Sequence, residues 1–116
     1  MAAKIHFAHV EHTSWQPTSR PGIRAKALLP QTSGASHNLI LVEYEAGAVV
    51  EMHATHAPES IFVLDGQVQV KTPQGEIILG PDDAVHFDPG TEHGMQTLDG
   101  PARCLVMFTP IPDTAE

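Results

Sequence analysis

Glycine and proline punctuation sets the tightest limit on what this chain can fold into. Its 116 residues include 10 prolines and 9 glycines, and most of them separate short apolar runs. No helix-period segment stands out between these breakers. The runs read as strands instead. Ile23 to Leu29 is closed by Pro30, and Leu39 to Glu45 is closed by Gly47. Val49 to Met52 resumes extended chain, followed by Ile61 to Leu64, Gln67 to Lys71, Glu76 to Leu79 and Ala84 to Phe87. His93 to Leu98 and Ala102 to Thr109 complete the set. Turn residues recur about every 8–12 positions, the spacing of an all-β sandwich or barrel. The pair Asp65-Gly66 stands between two β-runs and predicts a tight hairpin, because its turn needs positive φ. Gln31 to Asn38 reads as an exposed loop. The ends, Met1 to Lys4 and Pro110 to Glu116, are expected to fray or to pack on a neighbour.

A length of 116 residues suits one domain spanning 1–116, since two halves would each be too small to bury a core. With 41% hydrophobic and 17% charged residues, the chain belongs among globular sequences rather than disordered ones. Six lysines and arginines face 14 aspartates and glutamates, a formal net charge of −8. Such a surface repels phosphate backbones, so nucleic acid is not an expected partner. No apolar run approaches the ~20 residues of a membrane span. The start lacks the apolar centre of a signal peptide. A cytoplasmic location is therefore the expectation. Cys104 is the only cysteine, which excludes an internal disulfide and a cysteine-based zinc cluster. It reads as a small apolar residue of its strand.

Eight histidines are many for this length, and neutral imidazole is the commonest metal ligand. His53, His56 and Glu59 lie within seven residues at the junction of two strands. His93 follows the turn Asp88-Pro89-Gly90 and opens another strand. Nitrogen and oxygen donors converging from adjacent strands suit a mononuclear site for iron, manganese, nickel, zinc or copper. The other histidines read differently. His86 sits mid-strand and is assigned a structural, outward position. His37 lies by a polar loop, and His6, His9 and His12 occupy a loose N-terminal segment. No serine or cysteine builds a nucleophilic triad, and no glycine-rich phosphate loop is present.

These residues resemble the cupin family. Its first motif is Gly, five residues, His-x-His, three or four residues, Glu, six residues, Gly. Gly47, His53, Glu59 and Gly66 fall at matching positions. Its second motif is a Gly-Asp-led strand, a proline turn and a histidine. The segment Asp82-Asp83-Ala84-Val85-His86-Phe87-Asp88-Pro89-Gly90-Thr91-Glu92-His93 follows it, with Asp82 where glycine is usual. The motif region spans 47–97, and Thr97 stands where asparagine is often seen. The resemblance implies a cupin jelly roll, a double-stranded β-helix. It also implies a divalent transition metal on His53, His56, Glu59 and His93. One departure leaves two alternatives. The usual His-x-His is His53-Ala54-Thr55-His56 here, and residues three apart on a regular strand face opposite ways. Either a bulge or turn brings His56 inward, or Thr55 faces the pocket and three ligands remain.

Around that site, strand parity points Ile61, Val63, Met95 and Phe108 towards a modest pocket. Glu51 and Tyr44 are the candidate bases, although Glu51 at a twisted strand end is expected to face water. Arg24 and Lys26 share one strand face and could meet an anionic substrate, with a solvated edge as the plainer reading. The resemblance implies a metal-dependent oxygenase, isomerase or decarboxylase acting on a small oxygenated molecule, since small cupins include dioxygenases. The alternative is a non-catalytic cupin that binds or senses a metal or small ligand. A homodimer is expected as well. Phe62 and Leu64 alternate with inward Ile61 and Val63 and need cover from outside the barrel, to which Trp15 and Phe7 could contribute.

Overall fold

The computed structural model of the protein describes residues 5–30, 32 and 36–109. Sequence expectations for the two ends, and for half of the 31–38 loop, lie outside the described residues. Ten strands carry the fold: β1 (Gln16–Pro17), β2 (Ile23–Leu29), β3 (Asn38–Tyr44), β4 (Val49–Ala54), β5 (Glu59–Asp65), β6 (Val68–Thr72), β7 (Gly75–Leu79), β8 (Ala84–Phe87), β9 (Glu92–Thr97) and β10 (Ala102–Phe108). They form a six-stranded sheet in the order β1-β2-β3-β10-β5-β8 and a four-stranded sheet in the order β4-β9-β6-β7. Every pairing is antiparallel. The only helical element among the described residues is a 3-10 turn at Val10–His12. The architecture is the all-β jelly roll.

The pleat explains why these residues make these strands. In β6, Val68 and Val70 are fully buried while Gln69 and Lys71 alternate outward. In β5, Ile61 and Val63 are buried while Phe62 stays 38% exposed. One face of each strand thus enters the space between the sheets. Burying such a valine or isoleucine contributes roughly 1.5–3 kcal/mol. Cys104 is sealed in the same core. Burial pushes its thiol up to about 12.

The Asp65-Gly66 expectation needs correction. Its positive φ is present, at +80° for Gly66, but the strands it joins do not pair. β5 lies between β10 and β8, whereas β6 lies between β9 and β7. The turn is a corner that carries the chain from one sheet to the other. A tight hairpin and a corner can share the same local φ, so the dipeptide alone does not separate them. The hairpin of this region is β6–β7, where Thr72 pairs with Gly75. Asp82 stands at a motif position where glycine is usual, and it adopts a positive φ of 72°.

Candidate metal centre in the barrel lumen

A bulge in β4 aims the first histidine. Val50 pairs with Met95, yet His53 pairs with His93. Three steps along β4 therefore match two along β9, and the extra residue falls at Glu51–Met52. The bulge lies over Gly94, where an added Cβ would come within 3.0 Å of the Val50 carbonyl and 3.2 Å of the Met52 nitrogen. It shifts the pleat by one residue. Val50 and His53, three apart, both line the lumen, and Met52 turns outward at 45% exposure. The Glu51 carbonyl at the bulge accepts a hydrogen bond from His53 Nδ1 at 2.9 Å.

His93 is the second residue of β9 and is 3% exposed. Its ring stacks on Phe87 with centroids 3.8 Å apart and planes inclined by 4°. Its Nδ1 donates to the Thr91 carbonyl at 3.0 Å. A carbonyl oxygen only accepts, so both histidines carry a proton on Nδ1. In its neutral form each ring then presents a bare Nε2 lone pair. The two rings lie 4.6 Å apart between centroids. Glu59, from the start of β5, places Oε1 3.2 Å from His93 Nε2. A bare imidazole nitrogen and a carboxylate oxygen are both acceptors, so this contact is attractive only with a proton or a metal cation between them.

His53, Glu59 and His93 line one cavity of about 180 Å³ together with Ile61, Met95, Tyr44 and Arg20. His56 is not brought to it. The sequence allowed for a bulge after His53, but the bulge comes before it, so His53 faces the lumen and the chain leaves the strand at Ala54. His56 is exposed on the following loop. Thr55 does not replace it, because its hydroxyl donates to the Ala57 carbonyl at 2.9 Å. Val63 is sealed in the core and Phe108 packs at its margin, so neither lines this cavity. His86 is exposed, bonded to Ser60 at 2.8 Å.

Neither candidate base is poised to take a proton. Glu51 is exposed and bound by Arg20, with Oε1 at 2.9 Å from Nη2 and 3.1 Å from Nε. That hydrogen bonding holds its carboxyl below the usual range. Tyr44 is 5% exposed. Burial raises its phenol far above the ordinary value, with the Cys104 and Glu59 charges adding to the rise and Arg20 opposing it. Tyr44 therefore stays a hydroxyl donor. Arg24 binds Glu43 through Nε at 2.8 Å. Trp15 lies under Arg24 and Lys26, at 4.3 and 4.8 Å from its ring centroid.

Arg20 is the lumen residue that the sequence did not mark. It sits in the loop between β1 and β2, where Thr18 accepts the Arg20 backbone N–H at 3.2 Å and donates to the Ile23 carbonyl at 2.8 Å. Its partner Glu51 is 31 residues away, and no local pattern points to it.

For a metal, the donor chemistry fits: two imidazoles with Nδ1 anchored to carbonyls and a carboxylate beside them. Among the described residues, however, no group of three or more His, Cys, Asp or Glu side chains is placed to hold a metal ion. No helix among them is long and apolar enough to cross a membrane.

Two sheets closed around a lumen of histidine and carboxylate donors define the class as a jelly-roll barrel. The cupin domain family matches residues 40–108, and the chain belongs to the cupin family. Solved structures of the same shape include KdgF from Halomonas sp., at 24% identity over 95% of this chain and 99% of that one, with a TM-score of 0.79. An RmlC-like cupin from Shewanella frigidimarina is 18% identical over 97% of each chain, with a TM-score of 0.81. The polyketide cyclase RemF from Streptomyces resistomycificus is 20% identical over 94% of this chain and 80% of that one, with a TM-score of 0.80. At these identities the likeness is one of fold. Among curated proteins no sequence matches this one.

Proposed function

We propose that the lumen holds a divalent transition metal on His53, Glu59 and His93 and acts on a small oxygenated molecule, as an oxygenase, isomerase or decarboxylase. The observation that carries this reading is the approach of His93 Nε2 to Glu59 Oε1 at 3.2 Å, a contact that calls for a shared proton or cation, beside a second imidazole whose Nδ1 is also spent on a carbonyl. When bound, such a metal supplies Lewis acidity or a site for dioxygen. The chain's own residues do the rest. The Glu51 and Thr91 carbonyls fix the two ring tautomers, and Phe87 fixes the plane of His93. Glu59 offsets positive charge. Ile61 and Met95 keep the cavity apolar, and Tyr44 offers a hydroxyl proton to a ligand oxygen.

A second reading has its own support. The lumen-lining groups able to accept a proton are His53, Glu59 and His93 themselves. With Tyr44 held as a phenol, a metal-occupied lumen keeps no separate base, which suits a non-catalytic metal or small-ligand binding module.

Titration of metal-free protein with Mn²⁺, Fe²⁺ or Zn²⁺ tests the site. Alanine at His53, His93 or Glu59 should weaken binding more than the ~10–100-fold that loss of an outer-shell partner costs. His56→Ala should leave it within a few-fold of the native protein. Native affinity in His53→Ala or His93→Ala would remove the metal reading. We also propose a homodimer. Phe62 at 38% and Met107 at 44% exposure share the outer face of the six-stranded sheet, and Ile5 at 89% and Phe7 at 75% project from the N-terminal segment.

A further inference from the structure

A groove of about 790 Å³ lies beside the lumen cavity, and the two spaces share Thr18, Arg20, Ile23 and Tyr44 as walls. The chain has only three arginines, and Arg20, Arg24 and Arg103 all line this groove. They are half of the chain's six lysines and arginines, and they stand among Glu43, Glu45 and Asp65, which line the same groove.

The three differ in what they have to spare. Arg24 is held by Glu43 and covered by Trp15. Arg103 stands 3.7 Å from Asp65 and 4.0 Å from Glu43, and it does not reach the lumen cavity. Arg20 borders both spaces. Glu51 occupies one edge of its guanidinium, through Nε and Nη2. Nη1 makes no hydrogen bond to the described residues. The backbone that presents it is fixed by the Thr18 bonds and by Gly22, at φ +75°, where an added Cβ would meet Glu45 Oε2 at 2.9 Å.

Tyr44 stands on the same shared wall. Its hydroxyl makes no hydrogen bond to the described residues, and the one sealed polar side-chain atom without a partner among them is Arg103 Nε. The Tyr44 hydroxyl is therefore not sealed, and its residue borders both spaces. A guanidinium edge and a phenol donor at one throat make a ready receptor for an anion.

We propose that Arg20 and Tyr44 form a carboxylate subsite at the throat between lumen and groove, so that the natural ligand is an oxygenated carboxylic acid. The inference rests on the reading of the lumen as the ligand site. The acid group sits on the Nη1 edge of Arg20 and the Tyr44 hydroxyl, while a hydroxyl or carbonyl oxygen of the same molecule points to His53, Glu59 and His93. The rest of the molecule extends into the groove, since about 180 Å³ is roughly the volume of six waters. A planar, singly charged group fits better than a phosphate. The extra oxygen and second charge of a phosphate would face Glu51 and Glu59.

The test compares succinate with succinamide, matched in size and differing in charge, by amide chemical-shift titration at fixed ionic strength. It is run on metal-free and on Zn²⁺-loaded protein. Native protein should bind succinate at least about tenfold more tightly than succinamide, with shifts centred on the 18–23 loop and Tyr44. Arg20→Gln should abolish that preference. Arg20→Lys should retain part of it, as a point charge without a fork. Tyr44→Phe, which keeps the buried ring, should lower succinate affinity about five- to tenfold, the worth of one hydrogen bond. Equal binding of the two probes by native protein would overturn the proposal. So would native succinate affinity in folded Arg20→Gln or in Tyr44→Phe. Zn²⁺ titration of the same samples keeps the two readings apart. A carboxylate preference that depends on Arg20, in a protein that binds no metal, would sink the metal reading and leave this one standing.

Discussion

Replacing Gly66 by alanine should damage the protein far more than the same change at Gly47, although both glycines have positive φ. Gly47 has φ +76° and nothing within 4 Å of an added Cβ. Its substitution costs only the left-handed backbone penalty, roughly 1–2 kcal/mol. Gly66 has φ +80°, and its added Cβ would lie 2.2 Å from the Pro101 carbonyl oxygen and 2.8 Å from Ala102 Cα. Ordinary C···O contacts begin near about 3.3 Å, so the overlap is about 1 Å. Both obstacles are backbone at the entry to β10, a strand hydrogen-bonded on both edges, and they cannot swing away as a side chain would. The total should exceed about 4 kcal/mol, at the far end of single-substitution effects. A domain stability of 5–15 kcal/mol is typical, so Gly66→Ala approaches loss of folding. Urea denaturation reads the difference as a midpoint shift at constant slope. Equal midpoints for the two variants would refute the steric argument, since backbone conformation alone would then account for both.

Stability should decline on the alkaline side. Burial pushes the Cys104 thiol from 9.0 up to about 12 and raises Tyr44 above its ordinary 10.0. Below about pH 9 both groups are protonated folded or unfolded. Above it the unfolded chain loses protons that the folded chain keeps, so stability falls as pH rises, and Tyr44→Phe should flatten the slope above pH 10 in melts from pH 8 to 11. Cys104 should resist a thiol reagent at pH 8 until urea unfolds the protein; rapid modification in native buffer would contradict its burial. Sedimentation at micromolar concentration should give a dimer, and a monodisperse species of 12.5 kDa would count against the proposed assembly.

Much of the fold was legible in the chain because strand ends are local events. Pro30 and the turn before Pro89 mark the ends of β2 and β8, and Ile23–Leu29 and Ala84–Phe87 are the observed strands. The alternation of Ile61 and Val63 with Phe62 is likewise local, since the pleat repeats every two residues. Gly47, His53, Glu59, Gly66 and His93 carried the resemblance to the cupin family, which implied the barrel and, His56 apart, the donor side chains that share its lumen.

Pairing decided what remained. The bulge at Glu51–Met52 exists because β4 lies on β9 over Gly94, a contact between segments about forty residues apart in sequence. It sends His53 inward and leaves His56 on the loop, a choice that parity along an isolated strand leaves open. The two-residue β1 carries no hydrophobic pattern of its own and is defined by its pairing with β2. Asp65-Gly66 encodes a positive φ but not which sheet receives the next strand. Arg20 carries no mark in its loop; its place at the throat follows from the Glu51 carboxylate across the barrel mouth. Local sequence set the conformation of each segment, while the facing of the donors came from strand register, which is fixed only when distant strands hydrogen-bond to one another.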